Sequence, residues 1–231
     1  MERGTLIGIG VGPGDWELLT IKAWKVLNNV KVICSPKSSP KKDSIALSII
    51  EPVLNKREND EITILEPVFP MTENKETLEK HWDNASNTIK EYLDKGEDVA
   101  FITLGDPAIF STFSYVQKRL EDNYNVEMIP GITASTACAS SIGKPLVEKN
   151  EILTIIPKID NRIDDILNIG DSVVLMKPSR NKKEMESIIN NSSGEKDIYS
   201  IENCSMSNEK IIEGFSKDKP YLTTTLIKFK K

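Results

Sequence analysis

Strand-like apolar runs alternate with helical patterns from the N-terminus as far as residue 129, and this alternation constrains the fold more than any other feature. It demands a mainly parallel sheet covered by helices. Strands are expected over 5–11, 30–34, 62–65, 99–103 and 126–129, with helices over 18–28, 44–54 and 107–121. One further helix precedes the fourth strand. It carries Leu78, Trp82, Ala85, Ile89 and Leu93 on a single stripe and stops near Gly96, a residue suited to a helix C-terminus. In the first helix Ile21, Trp24 and Leu27 or Asn28 recur at helical spacing.

After a small-residue helix over 133–142, the segment Gly143-Lys144-Pro145-Leu146-Val147-Glu148 reads as a linker. Two domains are therefore expected, 1–144 and 145–231. The second half carries strands over 152–156, 172–176 and 197–201 with helices near 162–167 and 182–190. It closes on two strands, 210–214 and 222–229, with no helix of useful length between them, which makes its sheet mixed. The fold class is α/β: two open α/β domains, the first with a mainly parallel sheet, and a cleft between them of the kind that favours ligands.

Composition narrows the function by exclusion. A formal net charge of −5 and a pI near 5.2 argue against a nucleic-acid binder working through a broad basic surface. Cys34, Cys138 and Cys204 are odd in number and far apart, so neither a disulfide framework nor a metal centre is indicated, and a reducing cytoplasm fits. No signal-type segment or membrane span is expected, since no apolar run approaches about 18 residues.

The chemistry concentrates where expected strands end. Val99 to Leu104 runs into Gly105-Asp106-Pro107, read as a strand leading to a helix with Asp106 at its cap and Pro107 in its first position. Ligands bind at the carboxyl ends of parallel strands. The first strand enters Gly8-Ile9-Gly10-Val11-Gly12-Pro13-Gly14-Asp15. Its spacing does not match the dinucleotide fingerprint, yet four alternating glycines imply that backbone approaches something closely. No P-loop is present, because Gly143-Lys144 is followed by Pro145. The fifth strand ends at Pro130-Gly131-Ile132-Thr133-Ala134-Ser135, and the strand over 172–176 ends at Met176 ahead of Lys177 and Arg180. Met176 reads as an adaptable core filler, and Thr133 as a ligand contact or cap. His81, the only histidine, lies beside Trp82 on the long helix and reads as a boundary residue. With one histidine, scattered cysteines and no paired spacing among Asp15, Asp43, Asp106 and Glu202, metal and Ser-His-Asp mechanisms are poorly supported. The activated group is expected to come from a cofactor.

Taken in order, Gly10 to Ala23, Leu104-Gly105-Asp106-Pro107 and Pro130-Gly131-Ile132-Thr133-Ala134 resemble the tetrapyrrole methylases, which use S-adenosylmethionine, over essentially the whole chain. Phe69-Pro70-Met71-Thr72, the Leu78 to Trp82 spacing and the run from Asp98 to Phe113 are similar to the C(20) branch of that family, whose substrate is precorrin-2 or cobalt-factor II of cobalamin synthesis. Many relatives carry a second glycine where this chain has Leu104, a departure the C(20) branch shares. The resemblance implies a homodimer with S-adenosylmethionine in the inter-domain cleft. It carries the cofactor-binding role onto Pro13, Leu104, Gly105, Asp106, Ile109, Thr133, Ala134 and Met176, and more weakly onto Ser111, Thr112, Cys204 and Ser205. Lys37, Lys41, Lys42, Lys177 and Arg180 are candidate partners for the carboxylate arms of a tetrapyrrole. No general base is visible. The rival readings within the fold are diphthine synthase, acting on a protein, and a ribosomal RNA methylase. A tetrapyrrole-binding protein without turnover is the rival from outside enzymology.

Overall fold

The computed structural model describes residues 2–58, 61–157, 160, 162–176, 182–192, 194–217 and 222–230. The chain divides into two compact units, 1–133 and 134–231. Among the described residues each unit is built on one five-stranded sheet.

In the first unit β1 (Leu6–Gly10), β2 (Val32–Cys34), β3 (Thr63–Leu65), β4 (Val99–Thr103) and β5 (Val126–Ile129) lie in the order β3-β2-β4-β1-β5. Every pairing is parallel. Helices cover both faces, as a parallel sheet requires, because both faces are apolar. On one face α3 (Lys75–Leu93) and α4 (Phe113–Leu120) bury Ala85, Ile89, Phe113 and Val116 against Leu6, Val99 and Phe101. Gly8 makes room there, since a Cβ on it would stand 2.6 Å from the Phe113 ring. The other face presents Ile7, Ile9, Ala100 and Ile102, near α1 (Ile21–Asn29) and α2 (Ile45–Leu54). Fully burying one such Ile or Phe side chain stabilises a fold by about 1.5–3 kcal/mol.

The helix starts follow their caps. Thr20, Ser44 and Asn74 each accept the amide of the residue three positions on, at 3.2, 3.4 and 2.9 Å. Only Ala23 and Leu27 of α1 are buried, whereas Ile21 is 74% and Trp24 43% exposed. Helical spacing in this stretch therefore marks a face that is mostly outward.

In the second unit β6 (Leu153–Ile156), β7 (Ser172–Met176), β8 (Lys196–Glu202), β9 (Lys210–Glu213) and β10 (Thr223–Phe229) lie in the order β6-β7-β10-β8-β9. Only β6 and β7 are parallel, so the sheet is mixed, as expected. On one face Val173, Leu175 and Ile227 meet Ile163 and Leu167 of α6 (Ile163–Ile169) and Ile189 of α7 (Lys182–Asn191). On the other, α5 (Ala134–Ser141) packs on β10. The sequence reading puts the division after this helix, at 144/145. Contacts divide the chain before it, because α5 covers the second sheet. The expected linker is also tied to that sheet: Lys144 donates to Asp197 and Tyr199, and Lys228 pairs with Glu148 and Glu151.

Candidate functional site

Because β1 lies between β4 and β5, the three loops at their carboxyl ends are neighbours. The register places Gly10 opposite Thr103 and Ile9 opposite Ile129. The loops are joined through backbone. Gly105 N–H donates to Gly12 O at 2.8 Å, and Gly12 N–H returns a bond to Gly105 O at 3.3 Å. Gly12 and Gly105 have φ of 78° and 65°, left-handed values that glycine takes without steric cost. A Cβ on Gly131 would come within 2.2 Å of Gly105 O, and one on Gly10 within 2.5 Å of the same atom. The close approach implied by the glycine run is thus an approach of loop to loop.

Asp106 completes the fastening. Its Oδ1 accepts Ala108 N–H at 2.8 Å, closing a turn within its own loop, and its Oδ2 accepts Gly131 N–H at 3.0 Å, reaching the loop after β5. The expected helix over 107–121 is corrected here: α4 begins at Phe113, and residues 107–112 are a turn-rich loop. Proline's fixed φ suits a turn as well as a first helical position, and Asp106 caps the turn. Ser111 supplies the helix's first acceptor, taking Phe113 N–H at 3.1 Å while donating to Thr103 Oγ1 at 2.9 Å.

The structure brings Pro13, Leu104, Gly105, Asp106, Ile109, Ser111, Thr112 and Thr133 to one end of the first sheet, in the loops that follow β1, β4 and β5. Pro13 is buried and the rest are half-buried. The second unit carries Ala134 at the start of α5, Met176 at the end of β7, and Cys204 and Ser205 in the loop after β8. Met176 lies opposite Thr224 of β10, which neighbours Ile201 of β8 in turn. The Cys204 thiol is hydrogen-bonded to Cys138 of α5; this contact lowers the pKa of Cys204 and, together with burial, raises that of Cys138.

Several candidates have structural employment. Asp15 accepts Glu17 N–H at 2.9 Å and caps a short 3₁₀ turn, Trp16–Leu18. Glu202 is buried and accepts the Ser216 hydroxyl. Lys37 pairs with Glu66 at 2.8 Å with its side chain 16% exposed, so its charge is already met, while Lys41 and Lys42 are exposed. Lys177 and Arg180 lie outside the described residues. Sequence reasoning missed Thr103, Phe110 and Glu209. Phe110 has φ 50° and an exposed ring within the stretch expected to be helical, where no such φ occurs. Glu209 was hidden because Ser141, which ties it to α5, is distant in the chain, and its local bond to the Ser205 amide, four residues back, leaves no sequence signature. No described helix is long and apolar enough to cross a membrane.

Comparison with known proteins places this geometry. A family model described as Tetrapyrrole (Corrin/Porphyrin) Methylases matches residues 5–219. The probable cobalt-precorrin-2 C(20)-methyltransferase of Methanocaldococcus jannaschii is 36% identical over 234 residues, 96% of this chain and 94% of that protein. Among solved structures, a cobalt precorrin-4 methyltransferase shares the fold with a TM-score of 0.74 at 19% identity, covering 97% of this chain and 94% of its own. The uroporphyrin-III C-methyltransferase of Thermus thermophilus, solved with S-adenosylhomocysteine, matches with a TM-score of 0.68 at 16% identity over 97% of both chains. Its family model, its relative and its fold agree that the chain belongs to the tetrapyrrole methylases.

Proposed function

We propose that this chain transfers the methyl group of S-adenosylmethionine to carbon 20 of precorrin-2 or of its cobalt-bearing form in cobalamin biosynthesis. The observation that carries the reading is the 36% identity, end to end, with the Methanocaldococcus jannaschii protein of that name. Cobalt, where present, belongs to the substrate. In this reading the enzyme is a cytoplasmic homodimer.

The residues present fit S-adenosylmethionine. Asp106 spends one acceptor position of each oxygen on a backbone amide, so each oxygen keeps a lone pair for a ribose hydroxyl or an amino group. The three loops, two joined through backbone and the third through the Asp106 carboxylate, form a floor of the kind that holds a ligand in one geometry. Pro13, Leu104 and Ile109 offer apolar surface, Thr133 and Thr112 carry hydroxyls, Ser111 keeps one lone pair beyond its bonds to Thr103 and Phe113, Ala134 leaves space, and Met176 adapts to an apolar partner. In this reading Cys204 and Ser205 also meet the cofactor.

When bound, the cofactor supplies an already activated methyl group. The protein's share is then alignment and exclusion of water. Exposed Lys41 and Lys42 are available to the carboxylate arms of a tetrapyrrole. Incubation with isotopically labelled S-adenosylmethionine and either metal-free or cobalt-loaded substrate, followed by mass spectrometry and NMR, tests the reading. A singly methylated macrocycle labelled at carbon 20 is expected. Label at another carbon, or only on protein or RNA, refutes it.

A further inference from the structure

Two non-glycine residues on either side of Cys204 take left-handed backbone conformations, Asn203 with φ 50° and Ser205 with φ 60°. Asparagine visits this region with comparative ease, but serine does so only where its surroundings hold it. Glu209 holds the Ser205 backbone. Its Oε2 accepts Ser205 N–H at 2.5 Å and the Ser141 hydroxyl at 2.9 Å. Ser141 is the last residue of α5, and its oxygen also lies 3.9 Å from Cys204 Sγ. Turn bonds from Met206 N–H to Asn203 O and from Glu209 N–H to Met206 O bring the carboxylate back over the loop that carries it. One half-buried carboxylate oxygen therefore joins a strained loop to the end of a helix, accepting from both donors.

We infer that Glu209 is a positioning residue for the cofactor: it sets the backbone of Cys204 and Ser205 and itself touches neither cofactor nor tetrapyrrole. The inference rests on the functional reading above, in which those two residues meet S-adenosylmethionine. Without the carboxylate, Ser205 relaxes toward ordinary φ values, and the loop presents Cys204 and its own amides in the wrong places. The chemical step is little changed, because the cofactor binds the native loop conformation best and, at saturation, draws the loop back to it.

The test is calorimetric titration of S-adenosylhomocysteine into the full chain as wild type, Glu209→Gln, Glu209→Ala and Ser141→Ala, with steady-state kinetics alongside. Glutamine keeps a carbonyl oxygen able to accept both bonds, so its Kd is expected within about threefold of wild type. Glu209→Ala loses both and is expected to raise Kd by about tenfold or more, the scale of a lost bond to a charged group. Its kcat at saturating cofactor and its KM for the tetrapyrrole stay within about twofold of wild type, a split that general loosening of the unit does not produce. Ser141→Ala keeps the Ser205 bond, is expected to fall between, and decides the matter if Glu209→Ala does not fold by circular dichroism. A wild-type Kd in Glu209→Ala, or in Ser141→Ala where the former is unfolded, overturns the inference; so does loss of kcat with Kd unchanged. A wild-type protein that binds no S-adenosylhomocysteine overturns the functional reading before any variant is compared.

Discussion

Replacing Asp106 by asparagine tests whether the fastening of the loops is as described. The carboxylate accepts two backbone amides, at 2.8 and 3.0 Å, from different loops. Asparagine has one oxygen, so it keeps one bond and turns an NH₂ donor toward the other amide. A hydrogen bond to a charged group contributes about 1.5–3 kcal/mol. Asp106 is half-buried, so water partly compensates, and a loss of about 1.5–2 kcal/mol is expected. All three tryptophans, Trp16, Trp24 and Trp82, lie in the first unit, so their fluorescence reports that unit alone. At about 1–3 kcal/mol per molar urea the midpoint falls by about 0.5–2 M. Asp106→Ala, which abandons both amides, falls about twice as far. S-adenosylhomocysteine affinity drops by up to about tenfold in Asp106→Asn, the factor that 1.4 kcal/mol represents. An Asp106→Asn midpoint equal to wild type, or Asp106→Ala no worse than Asp106→Asn, would show that the carboxylate is not a clamp.

Gly131→Ala is expected to cost about 3 kcal/mol or more, the upper end for overpacking, because its Cβ would meet backbone of the loop after β4 and of the end of β1; the same fluorescence titration would fail to show this if the chain could shift freely. Acid is expected to free the segment around 144–151 before the second unit unfolds. Glu148 N–H, then Lys228, lowers the Glu151 pKa, and Lys144, then Lys230, lowers that of Asp197. Depressed carboxylate pKa values give stability that is complete above about pH 4.3 and is lost as pH falls through the lowered values. Protection of these amides in hydrogen exchange should therefore decline below that pH, and unchanged protection down to global unfolding counts against the ties. Removing the ionisable group singly at Asp15, Asp43, His81 or Glu202 is expected to slow single-turnover methyl transfer by less than about 100-fold with both ligands saturating. One folded variant that binds both ligands but is inert identifies a proton-transfer residue and ends the case for alignment alone.

What the sequence made legible was local. The bounds of β4, β5 and β7 follow from short apolar runs with clear stops, and the α3 stripe from its 3.6-residue period. What it hid depended on partners distant in the chain. Asp106-Pro107 carries the same residues whether it opens a helix or a turn, and the carboxylate's bond to Gly131, 25 residues away, is not visible locally. The glycines around 8–14 announced a close approach, but Gly8 faces the Phe113 ring and Gly10 faces Gly105 and Gly131. Lys37 looked available until Glu66, on the next strand's loop, was placed beside it. Of α1, the residues at helical spacing included two left in water, because an amphipathic period fixes an angle and not which side meets the sheet.

The packing of α5 on β10 decides where this polypeptide can be cut. The face it covers carries Thr224 and, by alternation along the strands, Val174, Leu226 and Ile201. A C-terminal fragment beginning at 145 would leave that face bare, along with Cys204, whose partners Cys138 and Ser141 would stay on the other piece. Bare apolar sheet is an aggregation hazard, so such a fragment is a poor choice for separate expression, circular permutation or split-protein complementation. A break at 133/134 keeps the cover with what it covers.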